Sequence, residues 1–421
     1  MLSVNPVMEW AQILNESWRI ARDFFYDPGM HGMDWNAVHT KYEKMLPAVA
    51  DRSDLTFIQG EMVAELNCGH AYIRNGDVAD LPQESMGFLG ADFEPVAGNP
   101  PAFKITKIYP GDGFDLKSRS PLLTPGVDVK TCDYILAIMG QPVRTNQDIE
   151  ALLIGTADRW ISLTVNRTPS LTGAREVRLK PLAGERLTRY YDWVDSRRKY
   201  VETHGGQNLG YVHLPNMSAW GLQEFAKHYY PSLTKDGMIY DVRFNNGGYI
   251  DAMLLLQMAT KPYSYFKPRY GASWTRLDWA FAGHSVAVCN EYSISDGEEF
   301  SDAFQRLKLG PVVGSETWGG EVGSGAGYPL ADGGSIYVPN YGEWVPEGQW
   351  VIEGTGVKPD IVVDEDPAAL MAGRDPQLDR AIEYLITKLK SEPVSRPVPP
   401  PFPNKALRAS SGSKSGTVGG P

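Results

Sequence analysis

The stretch Ser285-Val-Ala-Val-Cys289, then Asn290-Glu-Tyr-Ser-Ile-Ser-Asp-Gly297, runs an apolar strand-like segment into a helix-like one, Glu298 to Leu309. A serine at that junction sits at a helix N-terminus. Unpaired backbone N–H groups and the positive end of the helix dipole there favour developing negative charge. A nucleophilic hydroxyl and its oxyanion need that environment. Taken alone, Ser295 or Asp296 reads equally as a simple helix cap.

Around this junction, residues 183 to about 390 alternate strand and helix. Leu209-Gly-Tyr-Val-His-Leu214 and Met238-Ile-Tyr-Asp-Val-Arg243 are strands, with a crossover helix between them from Met217 to Leu233. Val286–Cys289 and Pro311–Gly314 complete the obvious set. The alternation favours an α/β layer with largely parallel strands. Upstream, residues 1 to about 85 read as helical. Trp10, Ile13, Leu14, Trp18, Ala21 and Phe25 keep helical spacing until Asp27-Pro28-Gly29. A second helix begins near Asp34-Trp35, and Ser53-Asp54-Leu55-Thr56 caps a third.

Residues 86 to about 182 are β-rich, with Gly/Pro turns. Within them Asp133, Ile135, Ile138, Gly140 and Val143, followed by a helix-like Asn146–Leu153, resemble the core of a PDZ domain. Cys132-Asp133 stands where Gly-Asp is usual. Such a domain binds extended peptide ends by strand addition; a β domain with a packing role alone fits the same residues. From about residue 391 the chain is Pro-, Ser- and Gly-rich and reads as a disordered or wrapping tail.

At 421 residues the chain can hold about two to four domains. A net charge of −11 without a Lys/Arg cluster argues against nucleic acid as partner. No apolar run reaches the roughly 18 residues needed to span a bilayer, and residues 1–20 carry no secretory signal. Cys68, Cys132 and Cys289 form neither a disulfide framework nor a metal spacing, and the His spacing suggests no zinc site.

Three further patches accompany Ser295. Asp241-Val-Arg-Phe-Asn-Asn-Gly-Gly248 is a buried strand ending in paired glycines, which let a backbone N–H approach a ligand. Glu65-Leu-Asn-Cys-Gly-His70 ends a helix in a candidate base. Gly348-Gln-Trp-Val-Ile-Glu353-Gly-Thr-Gly-Val-Lys-Pro-Asp360 offers a carboxylate that could orient a partner.

In this order the four patches resemble the tricorn-type serine peptidases, relatives of the C-terminal processing peptidases. The resemblance runs from about Trp10 to Asp364. It implies a multi-domain α/β protein: a helical N-terminal segment carrying His70 (1–85), a PDZ-like domain (86–182), and an α/β catalytic domain of the processing-peptidase/crotonase-like type (183–390), before the tail (391–421). It further implies Ser295 as nucleophile, His70 as base and Glu353 as orienting carboxylate. The oxyanion hole would come from the N–H groups of Asp296 and of Gly247 or Gly248. The substrate would be a peptide or unfolded protein, with no metal or organic cofactor and with self-association into a homo-oligomer. A cytoplasmic location is expected, or a periplasmic or secreted one if the chain belongs to a longer precursor. The propellers that gate entry in the tricorn enzyme do not occur in these residues, so a shortened relative or a fragment with freer access is expected.

Three departures bear on mechanism. Gly314-Ser-Glu-Thr-Trp-Gly-Gly320 lacks the lysine base of the processing peptidases, which favours a histidine mechanism. Gly69 replaces the serine that bridges histidine and glutamate in the tricorn enzyme, so a water or shifted side chain is expected between His70 and Glu353. Residues 252–277 contain no Asp or Glu, so an apolar side chain before the cleaved bond is expected, against Tyr263, Tyr265 and Phe266. Two other readings remain at this stage. One is a catalytically impaired, PDZ-bearing peptide-binding scaffold. The other is acyl-CoA chemistry on a crotonase-like fold, which leaves Ser295 unexplained and offers no basic cluster for the nucleotide.

Overall fold

The structure, a computed structural model, describes residues 5–79 and 83–406. Three helices open the chain: α1 (Pro6–Phe24), α2 (Trp35–Glu43) and α3 (Arg52–Ala64). They bury Ile13, Leu14, Trp35, Leu55 and Met62 against one another. The third is capped by Asp51, whose carboxylate accepts the N–H groups of Ser53 and Asp54, rather than by the serine two residues on. A short strand, β1 (Tyr72–Arg74), follows.

The second unit is an antiparallel sheet of β2 (Ala91–Val96), β3 (Ala102–Ile108), β4 (Tyr134–Ile138), β5 (Gln141–Pro142), β6 (Ile161–Asn166) and β7 (Arg175–Leu179). Its core gathers Ile135, Ile138 and Val143 with Leu163 and Leu179. Asp133 is buried and accepts the Lys130 N–H at 3.0 Å, pinning the turn into β4. The helix expected over 146–153 is a single 3-10 turn, Ile149–Leu153.

The third unit begins with α4 (Arg186–Gly205), β8 (Leu209–His213), α5 (Ala219–Tyr229), β9 (Gly237–Asp241), α6 (Asp251–Ala259) and a small hairpin, β10 (Tyr265–Phe266) with β11 (Trp274–Thr275). It continues through β12 (His284–Cys289), α7 (Asp296–Arg306), β13 (Val312–Gly314), the hairpin β14 (Tyr328–Pro329) and β15 (Ser335–Tyr337), and the pair β16 (Trp344–Val345) and β17 (Gln349–Trp350). It closes with β18 (Ile361–Val362), α8 (Pro367–Met371) and α9 (Pro376–Ser391). Strands β18, β13, β12, β9 and β8, in that order, form one parallel sheet. Both faces are covered, by α5, α6 and α7 on one side and by α4 and α9 on the other. That explains why β8 and β9 are buried throughout instead of alternating.

The buried Arg243, just past β9, donates to Asp241 at 2.7 Å and to Asp375 at 3.1 Å. Asp375 caps α9, so this ion-pair network bolts the strand end to the covering helix. The N-terminal segment is joined to this unit by long-range contacts. β1 pairs antiparallel with β15, and the buried Arg52 pairs with Asp332 at the turn of that hairpin. Residues 392–406 carry no helix or strand and are largely exposed; the remainder of the tail, 407–421, lies outside the described residues. No described helix is long and apolar enough to cross a membrane.

Candidate active site

Loops leaving the C-terminal ends of β8, β9, β12 and β13 converge, at the edge where parallel α/β sheets place their ligands. The β9 and β12 loops are stitched together. Ser293 donates its hydroxyl to Val242 O at 2.8 Å, and Ile294 gives its N–H to Asn245 O at 2.9 Å. Ser295 then enters α7 as its N-cap with φ 55° and ψ −129°, a conformation that costs a non-glycine residue on the order of 1–3 kcal/mol. Such a sharp strand-to-helix turn holds a side chain up from the sheet edge.

Neighbouring residue types follow from this crowding. A Cβ on Gly297 would lie 2.9 Å from the Asn245 amide oxygen, and one on Gly247 would lie 2.7 Å from Ser295 Cβ. Gly248 adopts φ 154°, and a Cβ there would strike Met217 O at 1.8 Å. Of the two glycine N–H groups, that of Gly247 is already donated to Asn245 Oδ1 at 2.8 Å. Asn245 is itself fixed through Leu214 O. The N–H groups of Gly248 and of Asp296 have no acceptor among the described residues. Of the pair, Gly248 is thus the glycine whose N–H remains unclaimed among the described residues.

The base candidate does not end a helix. Chain direction changes after α3, and His70 lies in a loop with φ 56°, immediately before β1. Its half-buried ring packs edge-on to Trp318 and Tyr72, and its Nδ1 is buried without a partner among the described residues. Desolvation holds the imidazole below its ordinary pKa, opposed by the negative charge of Glu353. Glu353 lies in the turn after β17. Its Oε1 accepts the Gly69 N–H at 2.7 Å, and its Oε2 accepts those of Glu321 at 2.6 Å and Val322 at 2.8 Å. A Cβ on Gly69 would meet Gly320 Cα at 3.2 Å and Glu353 Oε1 at 3.7 Å. Gly69 thus stands directly beside the carboxylate.

A buried residue that sequence reasoning passed over joins the two halves. Glu298, in the first turn of α7, accepts the Thr317 hydroxyl and the Gly319 N–H at 2.6 Å each, and the Gly320 and Ser295 N–H groups at 3.0 Å each. Burial pushes its carboxyl up while these four donors hold it down. The signal was in the spacing Ser295-x-x-Glu298, that of a capping box. The loop 317–320 therefore touches the serine through Glu298, the histidine ring through Trp318, and Gly69 through Gly320. Tyr263, Tyr265 and Phe266 stand exposed on the β10–β11 hairpin, with Arg276 donating to the Tyr263 hydroxyl at 3.1 Å and lying over the Phe266 ring. Among the described residues, carboxylates of Asp251, Asp296 and Glu299 lie close enough to share a cation.

Comparison with known proteins agrees with this architecture along nearly the whole chain. Residues 208–363 match the model of peptidase family S41, residues 87–184 that of the tricorn protease PDZ domain, and residues 6–64 that of the tricorn protease C1 domain. Tricorn protease homolog 1 of Streptomyces coelicolor is 37% identical over 94% of this chain and 37% of its own length. A putative tricorn-like protease C-terminal subunit of Sulfurisphaera tokodaii is 34% identical over 92% of the chain and 44% of its own length. The crystal structure of the tricorn protease superposes with a TM-score of 0.86 at 29% identity, covering 92% of this chain and 37% of that one. The chain therefore spans less than half the length of these relatives. With C1, PDZ and S41 regions in one order, it is similar along nearly its whole length to the tricorn-type serine peptidases.

Proposed function

We propose that the chain hydrolyses peptides through an acyl-enzyme on Ser295. The observation that carries this reading is the strained Ser295 turn, with the unclaimed N–H groups of Gly248 and Asp296 beside it. In the proposed reaction, His70 takes the hydroxyl proton as Ser295 attacks the scissile carbonyl, then returns it to the leaving amine. The two N–H groups receive the oxyanion. Glu353 orients the imidazole, and a water between Nδ1 of His70 and the carboxylate supplies the bridge that Gly69 lacks a hydroxyl to make.

Tyr263, Tyr265 and Phe266 receive an apolar side chain before the cleaved bond, and Arg276 among them disfavours a basic one. Peptides ending in Leu should outcompete those ending in Arg; a strong Arg preference refutes this assignment. Self-association, a cytoplasmic location and a peptide or unfolded-protein substrate are carried on the likeness to the family.

The test is turnover of a fluorogenic peptide library by wild type and Ser295→Ala. Loss of roughly 10⁴ or more in kcat is expected, because members of such a triad act as a unit. A protein that binds peptides without cleaving any would favour the impaired-scaffold reading, which the orphaned Nδ1 of His70 and Gly69 motivate.

A further inference from the structure

A second group of polar side chains gathers at Asp296, the residue after Ser295. Asp251 opens α6, while Asp296 and Glu299 lie three residues apart on one face of α7, where the two helices pack together. One oxygen from each of the three carboxylates lies within 4.8 Å of the others. Oxygens that share a Ca²⁺ at 2.3–2.6 Å can be no farther apart than about 5 Å, so the spacing is that of a shared ion. Asp296 Oδ2 accepts the N–H groups of Ile250 at 2.8 Å and Asp251 at 3.3 Å, which leaves its other oxygen free for the group.

A separate residue points to what fills the site. Glu321 comes from a different element, the loop after β13, and is only 3% exposed. Its carboxyl meets that of Glu299, yet its Oε2 has no hydrogen-bond partner among the described residues. Glu343 adds a second buried, unpartnered carboxylate oxygen on the same side. Among the described residues no Lys or Arg forms an ion pair with Asp251, Asp296, Glu299 or Glu321; the nearby Arg306 is engaged by Asp302 and Glu347. Burying several carboxylates without a counter-charge costs several kcal/mol per ion.

We propose that Asp251, Asp296 and Glu299 bind a divalent cation of the calcium type, with the Glu321 carboxyl behind Glu299. Hard, oxygen-only donors of flexible geometry suit Ca²⁺ better than the smaller Mg²⁺, whose ligands would have to close to about 2.1 Å. The ion would brace two parts of the site at once. Asp296 directly follows Ser295, and the backbone N–H of Glu321 is held by Glu353. The proposal stands independently of the peptidase reading, since it concerns binding alone.

Isothermal titration of Ca²⁺ into the EDTA-treated 421-residue chain at pH 7.5 tests it, with thermal melts in Ca²⁺ and in EDTA alongside. One saturable site and a melting temperature that rises with Ca²⁺ are expected. Glu299→Gln and Asp251→Asn should each weaken binding at least tenfold. In EDTA both should melt at or above wild type, because a buried negative charge is gone. Absence of saturable Ca²⁺ binding, with stability rising on acidification equally in Ca²⁺ and EDTA, would show that protons alone neutralise the group and overturn the proposal. Undiminished binding in both variants would overturn it as well.

Discussion

Glu298 and Glu353 divide four consecutive backbone N–H groups between them: Gly319 and Gly320 donate to Glu298, Glu321 and Val322 to Glu353. The remaining carboxylate oxygen capacity reaches Ser295 N on one side and Gly69 N on the other. One short loop thus fixes the spacing between a serine on the peptidase sheet and a histidine more than two hundred residues earlier. Positioning is carried by backbone donors on carboxylates, which are the stronger class of hydrogen bond.

Glu298→Gln is the sharpest probe of that clamp. The amide keeps one acceptor oxygen but turns an NH₂ toward N–H groups, leaving buried donors unpaired. A loss of about 2–3 kcal/mol in unfolding free energy is expected, with peptide turnover falling at least tenfold. Denaturant unfolding that matches wild type would show the clamp to be idle.

The pH profile of kcat/KM reports the base in the free enzyme. His70 titrates below its ordinary value because burial disfavours the cation, so activity should hold into mildly acid solution and fall only below about pH 6.5. Glu353 opposes that shift by stabilising the imidazolium. Removing its charge in Glu353→Gln should therefore move the acid limb to still lower pH, while lowering the plateau. A limb shifted upward in that variant would contradict the placement of the two groups.

Gly69 separates a water-bridged base from an unoriented one. Ala at this position would bring a methyl 3.7 Å from Glu353 Oε1 with no hydroxyl to offer, whereas Ser could bond the carboxylate. Gly69→Ala should lose at least tenfold in kcat, and Gly69→Ser should exceed Gly69→Ala by about fivefold, the worth of one hydrogen bond. Equal activity in all three proteins, measured on one peptide, would remove the bridge from the account.

Cys132 occupies a left-handed backbone position, φ 75°, where the PDZ pattern usually has glycine. A side chain there costs about 1 kcal/mol, partly offset by the greater freedom glycine has when unfolded. Cys132→Gly should stabilise the chain by about 0.5–1 kcal/mol in urea unfolding and leave turnover unchanged. Destabilisation would mean the thiol makes a contact of its own.

The parts of this molecule written in local pattern were legible before folding. Apolar spacing along α1, the turn residues at Asp27-Pro28-Gly29 and the Cys289–Gly297 junction each fix their structure within one or two turns of chain. The register of Gly247 and Gly248 was not legible, because it depends on which N–H the Asn245 side chain claims. Nor was the true position of His70, which follows from pairing β1 with β15 across more than two hundred residues. Glu298 was read as a helix start alone, although it also caps the serine and holds a loop from elsewhere. The acids around Asp296 come from three separate segments, and no spacing in the sequence announces them.

The central claim is that His70 activates Ser295, and a fluorophosphonate probe reads it directly by mass spectrometry of the intact chain and its peptides. Wild type should gain one adduct mapped to Ser295, Ser295→Ala none, and His70→Ala should label at least a hundredfold more slowly. Labelling of His70→Ala at the wild-type rate, or an adduct on another residue, would contradict it.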